Sequence, residues 1–422
     1  MLLHVRISSE RNITSNHLLI YIKKQQEMKL LSRIGLGVLW CAVQIVPLLT
    51  TGGYFIARYA SDLRAEAWAP PHPLPMLDVN SRLADVGEVI LKGKLLGPES
   101  LAFKGDWLYT GVMDGRILRI NTNTLEIEEF ARLNSKCDPP GVTYDEYPPE
   151  REPICGRPLG LRFDPEGRLL VAESYHGIHR LSADGKTREI LLDNVQGRKI
   201  TFANDIDVAS DGTVYFTETS DRWGRSKVIH EIMATRPVGT LVSFHPSNPN
   251  GTLVVHKGFL PCNGVSLSHD EQYVYFISST RIYRLDRAKG TVSVALDNAP
   301  GVMDNIRRKK NSPHHFLIGC ASKRSQPFSL PDLLGPFPNI RNFITFLLPP
   351  WLLLKVIPRT GLLLEVDLTP GSERIVGSFQ DRRKDGIAYV SEAEEHSDGY
   401  TYLGTWHEDH LVRAKTLDLF AE

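Results

Sequence analysis

The chain has 422 residues, of which 42% are hydrophobic and 23% are charged, a composition typical of a globular protein. Its 49 Lys and Arg residues balance its 49 Asp and Glu residues, so neither the net charge nor any long basic run indicates a nucleic-acid-binding protein. Five cysteines are too few for a fold held together mainly by disulfides.

The N-terminal residues differ from the rest of the chain. Segment Ile34–Ala57 contains no charged residue and is long enough to cross the hydrocarbon region of a bilayer. Several Lys and Arg residues precede it closely, whereas only Arg58 and Arg64 follow it closely. The positive-inside rule therefore predicts a cytosolic tail (1–33), a transmembrane signal anchor (34–57) and a translocated remainder. Such a chain would be a single-pass type II protein of the plasma membrane or endoplasmic reticulum, with its bulk lumenal or extracellular.

A cleaved signal peptide is the alternative for this segment. Its length and the absence of a small-x-small cleavage site at its end favour the anchor. Met28 could also serve as a start, which would shorten the tail. Residues 58–78 follow and contain the proline-dense stretch AWAPPHPLP, which predicts a stiff spacer between the membrane and the folded domain.

Translocation would place the remaining cysteines in an oxidising compartment. Cys137 and Cys155 bracket a proline-rich loop, and we predict a disulfide between them. Cys262 and Cys320 lie in strongly patterned segments and are predicted to be buried thiols. Asn250 opens an Asn-Gly-Thr sequence in a turn-like stretch and is a predicted N-glycosylation site.

From Gly97 onward one pattern recurs six times: a loop ending in a polar residue, a short apolar strand, a tight turn and an alternating strand. Asp114-Gly115 and Asp211-Gly212 are typical hairpin turns. Repeats of this length, each with several strands, predict an all-β, six-bladed β-propeller over residues 79–422. We expect the segment Val79–Leu91 to close the ring by pairing with the last blade.

A second apolar run, NFITFLLPPWLLL, covers residues 342–354. It is too short to span a membrane, and Pro349-Pro350 interrupts it. It predicts a buried excursion between blades, a hydrophobic lid, or a surface that dips into the membrane, and the residues alone leave these alternatives open.

Polar residues recur at one phase of the repeat, just before the innermost strand of each blade, where they would face the propeller axis. They are Glu99, Arg157-Pro158, Asn204, Asn263, Asp304-Asn305 and Asp385-Gly386. Their carboxylate and amide oxygens, without Cys or His, suit calcium better than zinc. Asn-Asp pairs are also common turn residues, but their recurrence at one phase favours a calcium site.

The chain from Gly97 to its end resembles the strictosidine synthase-like proteins. The motifs PESLAF, CGRPLGLRF, FANDIDV, CNGVS, MDNIRR and YLGTW occur in this order. In the related paraoxonases and gluconolactonase-like propellers, the matching residues bind a catalytic calcium. The resemblance implies the calcium ligands Glu99, Asn204, Asn263, Asp304 and Asn305. Asp205 matches a ligand of a deeper calcium in paraoxonases, but Ser100 stands where those proteins have an acid, which argues against a second calcium.

Two departures from these relatives concern catalysis. Pro158-Leu159-Gly160 lacks the histidine that paraoxonases carry at this point. The plant synthases use a glutamate in the last blade, which falls near Ser391 or Glu392. Glu392 could therefore serve as an acid or base, although SEAEEHSDG is also typical of a solvated turn. His176, His407 and His410 lie in predicted loops and could serve as bases.

Three functions remain open from the sequence. The first is a membrane-anchored, calcium-dependent hydrolase of small esters or lactones, similar to an arylesterase, in which Asp304 or Glu99 activates water. The second is a non-catalytic membrane propeller acting as a binding or adhesion module. The third is amine–aldehyde condensation as in the plant synthases, which needs no metal and is therefore disfavoured by a complete calcium-ligand set.

Overall fold

The computed structural model describes residues 62–134, 137 and 151–421, together with residues 23, 51–53 and 55. Residues 63–422 form one compact unit. Nearly all of the predicted tail and of the predicted anchor Ile34–Ala57 lies outside the described residues. Within the described part of the chain, no helix is both long enough and apolar enough to cross a bilayer.

Six four-stranded antiparallel sheets form the blades of a propeller, which confirms the predicted all-β class and blade number. Blades one to five are β2–β5, β6–β9, β12–β15, β16–β19 and β20–β23, and β10–β11 is a separate hairpin. The strands are β1 (Glu88–Ile90), β2 (Leu101–Lys104), β3 (Trp107–Gly111), β4 (Arg116–Asn121), β5 (Ile127–Arg132), β6 (Pro158–Phe163), β7 (Leu169–Glu173), β8 (Gly177–Leu181), β9 (Arg188–Leu192), β10 (Asn194–Val195), β11 (Arg198–Lys199), β12 (Ala203–Val208), β13 (Val214–Glu218), β14 (Gly239–His245), β15 (Asn248–Phe259), β16 (Cys262–Leu267), β17 (Tyr273–Ser278), β18 (Arg281–Asp286), β19 (Thr291–Leu296), β20 (Gly301–Arg308), β21 (His315–Lys323), β22 (Gly361–Asp367), β23 (Arg374–Asp381), β24 (Val390–Glu395), β25 (Tyr400–Thr405) and β26 (Leu411–Lys415).

The sixth blade combines the two ends of the propeller. Strand β1 pairs with β26, with Ile90 opposite Leu411, and completes the sheet β24–β25–β26. Ile90 is buried in this pairing. The predicted closing segment Val79–Leu91 therefore does pair with the last blade, through Glu88–Ile90, and gives that blade its fourth strand.

Apolar side chains fill the space between neighbouring blades. Leu170 of blade two, for example, packs in one cluster with Ile206 and Phe216 of blade three. The hairpin turns follow their sequence signals, since Gly115 and Gly212 have φ values of 82° and 85°, which glycine adopts without strain. This layered core holds each inner strand in a fixed position around the axis.

Short helices occupy several connections. They are Arg82–Val86, Glu152–Cys155, Val228–Ala234, Leu330–Leu334, Pro338–Leu347, Pro350–Leu354 and Thr416–Leu419, with a 3-10 turn at Arg225–Lys227. The apolar run 342–354 thus lies in two helices that Pro349 separates, inside the long connection between β21 and β22. Since Lys323 at the end of β21 pairs with Gly301 at the start of β20, this connection lies at the end of the blade where the inner strand begins.

The proline-dense segment lies along the propeller instead of forming a free spacer. Trp68 N donates to the carbonyl of Gly335 over 3.0 Å, and the Arg324 guanidinium donates to the carbonyl of Pro71 over 2.8 Å. Gln326 N donates to the carbonyl of Pro75 over 3.0 Å. Such bonds replace the internal hydrogen bonds that a proline-rich chain cannot make, so the compact unit begins at Leu63 rather than at residue 79.

Cys137 and Cys155 form the predicted disulfide, with Cα atoms 5.3 Å apart. Cys262 and Cys320 are buried free thiols, as predicted. Asn250 lies within strand β15 and not in a turn. Its glycosylation stays a prediction.

Candidate metal centre

Irregularities in the inner strands direct polar side chains toward the axis. The pairing of the inner strand with its neighbour shifts register between Ala203 and Ile206 in β12, between Cys262 and Val265 in β16, and between Met303 and Ile306 in β20. These shifts span the positions of Asn204, Asn263, Asp304 and Asn305. A bulge changes the direction of the side chains that it contains. These residues therefore lie within the inner strands, and the prediction that they come just before the strands is wrong.

Two glycines allow the bulges of adjacent blades to approach closely. A Cβ atom on Gly160 would lie 2.7 Å from the Cα of Asp205, and one on Gly264 would lie 2.7 Å from the Cα of Asn305. Any larger residue would therefore push neighbouring inner strands apart. The glycines of the CGRPLGLRF and CNGVS motifs thus set the width of the channel.

The amide groups of the candidate site have fixed nitrogens and free oxygens. Asn204 Nδ2 donates to Thr219 Oγ1 over 3.0 Å, and Asn305 Nδ2 donates to Glu392 Oε2 over 3.1 Å. The Oδ1 atoms of Asn204, Asn263 and Asn305 are buried and have no hydrogen-bond partner among the described residues. A buried acceptor without a partner is costly, and a cation coordinated by all three oxygens would remove that cost.

The two carboxylates of the predicted site are also buried, with 3% of Asp304 and 5% of Glu99 exposed. Burial raises the pKa of Asp304 well above its usual range, and the charge on Glu99 raises it further. A hydrogen bond with Asn263 acts in the opposite direction on the same pKa. A divalent cation between the two carboxylates would stabilise both in their charged form, which fits the orphaned amide oxygens beside them.

Arg157 adds a positive charge to this group. Its Nη2 donates to Glu99 Oε2 over 2.8 Å, and its side chain is fully buried. Its Nε and Nη1 have no hydrogen-bond partner among the described residues. The sequence placed Arg157 at the axis but assigned it no role. The structure makes it the counter-ion of Glu99.

A second polar layer lies behind the candidate ligands. Arg307 donates from both terminal nitrogens to Asp205, over 2.7 and 2.9 Å, and one of them also donates to Glu392. The same nitrogen lies 3.4 Å from Ser100 Oγ. A guanidinium therefore stands between Asp205 and Ser100, the two positions at which the resemblance raised the question of a second calcium. It supplies positive charge there without a metal.

Sequence reasoning did not foresee the role of Arg307 or of Arg162. Arg162 extends from β6 to within 3.8 Å of Glu392 Oε1 and 3.7 Å of Glu394 Oε2. The sequence did give a signal for buried ion pairs, because Arg162 in the motif LRF and Arg307 in the motif NIRR lie in inner strands, where a charged residue needs a partner. The partners come from other blades and could not be read from the sequence.

Glu392 belongs to this second layer. Residues Val390–Glu395 form strand β24, so the alternative of a solvated turn is wrong. Glu392 has no exposed surface, and Leu101 N donates to its Oε1 over 3.0 Å. Burial raises the pKa of Glu392 to about 7, while the charge of Arg162 and the hydrogen bonds from Leu101 N and Asn305 act on it in the opposite direction.

The remaining predicted residues contact other groups or solvent. Asp385 is exposed, because the inner strand of blade six begins only at Val390, and the expectation that it faces the axis is wrong. His176 Nδ1 pairs with Glu173 Oε2 over 2.7 Å. His407 stacks on Tyr389 with ring centroids 5.5 Å apart, and burial lowers the pKa of His407. His410 is buried and contacts Asp409.

Comparison with known proteins identifies the family. The family model described as Strictosidine synthase matches residues 204–298, and the one described as Strictosidine synthase-like, N-terminal matches residues 76–120. The chain is 33% identical over 354 residues to adipocyte plasma membrane-associated protein of Mus musculus, covering 82% of this chain and 81% of that protein. The chain belongs to the strictosidine synthase-like family. A strictosidine synthase-like relative in plants, Protein STRICTOSIDINE SYNTHASE-LIKE 13 of Arabidopsis thaliana, is 32% identical over 284 residues, covering 64% of this chain and 68% of that protein.

Solved structures show the same fold beyond the strictosidine synthase-like family. A gluconolactonase from Xanthomonas campestris superposes with a TM-score of 0.50 at 14% identity, covering 83% of this chain and 98% of that chain. At this identity the likeness extends to the propeller fold alone.

Proposed function

We propose that this protein is a membrane-anchored, calcium-dependent hydrolase of small esters or lactones. The observation that carries the proposal is the set of buried amide oxygens on Asn204, Asn263 and Asn305 that have no hydrogen-bond partner among the described residues. Together with Glu99 and Asp304 they form a hard-oxygen donor set of low net charge, which calcium prefers.

These five residues would hold the ion. Bound calcium would act as a Lewis acid that polarises the substrate carbonyl and stabilises the oxyanion. Asp304 or Glu99 would accept a proton from the attacking water, since both carboxylates lie within the donor set. Arg157 donates to Glu99 Oε2 and fixes the position of that oxygen. Asn263 is partly exposed, although its Oδ1 is buried. A small molecule would reach the site on the side of blade four.

A non-catalytic role for the same propeller is the second candidate. It is favoured by the burial of four candidate ligands, each at most 5% exposed: Glu99, Asn204, Asp304 and Asn305. In that case calcium would tie the inner strands together, and the outer surfaces would bind partners. Amine–aldehyde condensation is less favoured, because Glu392 has no exposed surface and is held by Arg307.

The hydrolase proposal is tested with the purified full chain in detergent, assayed against aryl esters and lactones in calcium and in chelator. We expect bound calcium by elemental analysis and activity that falls to background in chelator. Asp304→Asn should lose both, whereas Asp385→Asn, at an exposed position, should keep both. Bound calcium without hydrolysis of any tested ester or lactone would favour the non-catalytic propeller. Absence of bound metal would reject the site and the function together.

We further propose a type II topology with the propeller on the lumenal or extracellular side. The apolar segment Ile34–Ala57 and the charges around it support the proposal. The names of relatives such as the plasma membrane-associated protein of Mus musculus also support a membrane location. Protease added to sealed vesicles should trim the tail and spare the propeller, and Asn250 should carry a glycan. Digestion of the propeller from the cytosolic side would contradict the topology.

A further inference from the structure

The helices between β21 and β22 direct their polar side chains inward. Arg341 and Asn342 of helix Pro338–Leu347 are only 2% and 6% exposed. Arg341 donates to the carbonyl of Gly335 over 3.0 Å and to Thr235 Oγ1 over 2.8 Å. Asp332, in the preceding helix, is buried in an ion pair with Arg324 over 2.6 Å. A surface helix of a soluble protein normally places such residues toward water.

The opposite side of these helices is apolar and exposed. We call this surface the apolar face. It consists of Leu333, Phe337, Ile340, Phe346, Leu347 and Val356, each between 47% and 60% exposed. Asp332 is the only acidic residue in positions 330–357, and it is buried, while Lys355 is exposed within the same segment. An exposed apolar surface of this extent, whose own segment exposes a lysine and no acidic residue, matches the interface of a lipid bilayer.

The first residues of the propeller unit, which follow the predicted anchor in sequence, contact these helices. Ala65 N donates to Asn342 Oδ1 over 3.0 Å, and Arg341 donates to the carbonyl of Glu66. Leu63 is buried. Leu63 comes only six positions after Ala57, the end of the predicted anchor, so the chain between them spans at most about 21 Å. The chain that follows the predicted anchor therefore enters the propeller beside the helices with the apolar face.

We propose that the apolar face inserts into the interfacial region of the same bilayer that the anchor crosses. The apolar face would be a second membrane contact in addition to the anchor. This proposal depends on the anchor that is part of the proposed function. It lies at the end of blade five where Gly301 pairs with Lys323, the end at which the inner strands carrying the candidate ligands begin. The propeller would thus turn the mouth of its channel toward the membrane.

The proposal is tested on the full chain in phosphatidylcholine liposomes, with an environment-sensitive NBD fluorophore on Phe346→Cys. Leu417→Cys is the control, because Leu417 is 87% exposed and the adjacent Thr416 is bonded to Gly399, at the far end of blade six. Both variants also carry Cys41→Ser, so that the fluorophore cannot react at that position. Cys262 and Cys320 are buried and therefore do not react with it. We expect the label at 346 to shift to the blue and to lose at least half of its emission when the lipids carry a doxyl quencher. The label at 417 should respond only to iodide in the water.

Three results would overturn the proposal. A label at 346 that iodide quenches as strongly as the one at 417, in protein that stays with the liposomes after a carbonate wash, would reject the surface and leave the anchor intact. Protein removed by carbonate would reject the anchor and the surface together. A label that neither quencher reaches, with energy transfer between differently labelled copies, would show that a second copy covers the apolar face.

Discussion

The guanidinium of Arg157 and the carboxylate of Glu99 form an ion pair over 2.8 Å from which solvent is excluded. A divalent cation that uses Glu99 must share that carboxylate with Arg157 and tolerate its positive charge. If calcium binds here, Arg157 would therefore weaken its binding, whereas in the metal-free protein Arg157 pairs with Glu99. The residue would tune the calcium affinity and would not serve as a ligand.

Replacing this arginine gives a prediction for metal binding. Arg157→Met should bind calcium at least about tenfold more tightly, a difference of about 1.4 kcal/mol, when calcium binding to the full chain is measured by titration calorimetry. Arg284→Met is the matched control, because Arg284 of β18 pairs with Glu373 over 2.7 Å, outside the inner strands that carry the candidate ligands. Weaker binding by Arg157→Met would mean that the arginine orients Glu99 for the metal.

Glu392 gives a prediction for the pH dependence of stability. Burial raises the pKa of Glu392 to about 7, above the ordinary value of about 4.3, so the folded protein holds this proton more tightly than the unfolded chain does. Stability from this group is complete below about pH 4 and is lost as the pH rises to 7, by up to about 3 kcal/mol. In chelator, the melting temperature of Glu392→Gln should therefore fall less between pH 5 and pH 8 than that of the native protein does.

The exposed position Glu126 provides the control for this measurement, because Glu126→Gln should leave the native pH dependence unchanged. If the melting temperature of Glu392→Gln falls more over this pH range than that of the native protein, the prediction is contradicted. It would show that the ion pair with Arg307 outweighs burial and keeps the carboxylate charged.

The candidate site illustrates what the sequence can and cannot predict about individual residues. Recurrence at one phase of the repeat picked out Glu99, Asn204, Asn263 and Asp304 because a blade repeats its geometry along the chain. Asp385 was assigned the same phase in the sequence, but β24 begins only at Val390, so Asp385 lies in the connection before that strand and is exposed. The bond from Arg307 to Asp205 depends on the packing of two different blades, for which a sequence repeat carries no signal.

At the level of secondary structure, strand β1 has a disproportionate role, because its three residues complete the last blade. Ile90 packs in a cluster with Leu101 and Leu108 of blade one and Leu411 of blade six. Ile90→Ala should lower stability by about 2–4 kcal/mol, through lost apolar burial and a cavity between the blades. The fall should be measured as a lower midpoint of chemical denaturation.

Val89 provides a neighbouring control in the same strand, because its side chain is 41% exposed and points away from the cluster. Val89→Ala should change the denaturation midpoint little. Equal effects of the two variants would show that β1 contributes through its backbone pairing with β26 and not through the inter-blade core.

Strands of this protein were more predictable than its connections. Alternating apolar residues and Asp-Gly turns are local signals, and they sufficed for the blades and for the closing segment. The connection between β21 and β22 has no such signal, because its helices are apolar on the exposed side and polar on the buried side. Likewise the proline-dense segment is held by Arg324 and Arg341, whose positions in sequence are remote from it.

On the scale of the whole molecule, the candidate ligands come from four blades: one, three, four and five. A cation bound by all of them would crosslink inner strands that otherwise meet only through apolar packing and the second polar layer. Since the amide oxygens converge only in the closed ring, the unfolded chain has no equivalent site. Calcium should therefore stabilise the entire propeller and not a single blade.

Calcium at a hundredfold excess over its dissociation constant should stabilise the fold by about 2.7 kcal/mol. Chelator should accordingly lower the melting temperature of the full chain, measured by intrinsic fluorescence in detergent. Asn204→Ala should lose most of this response, because Thr219, which holds the amide nitrogen, is no ligand and cannot replace the missing oxygen. Asp385→Asn should retain the native response, because Asp385 is exposed and away from the axis. If the melting temperature of the native protein is the same in calcium and in chelator, the orphaned oxygens do not hold calcium, and the polar links between the inner strands are the protein's own, such as the ion pairs of Arg157 and Arg307.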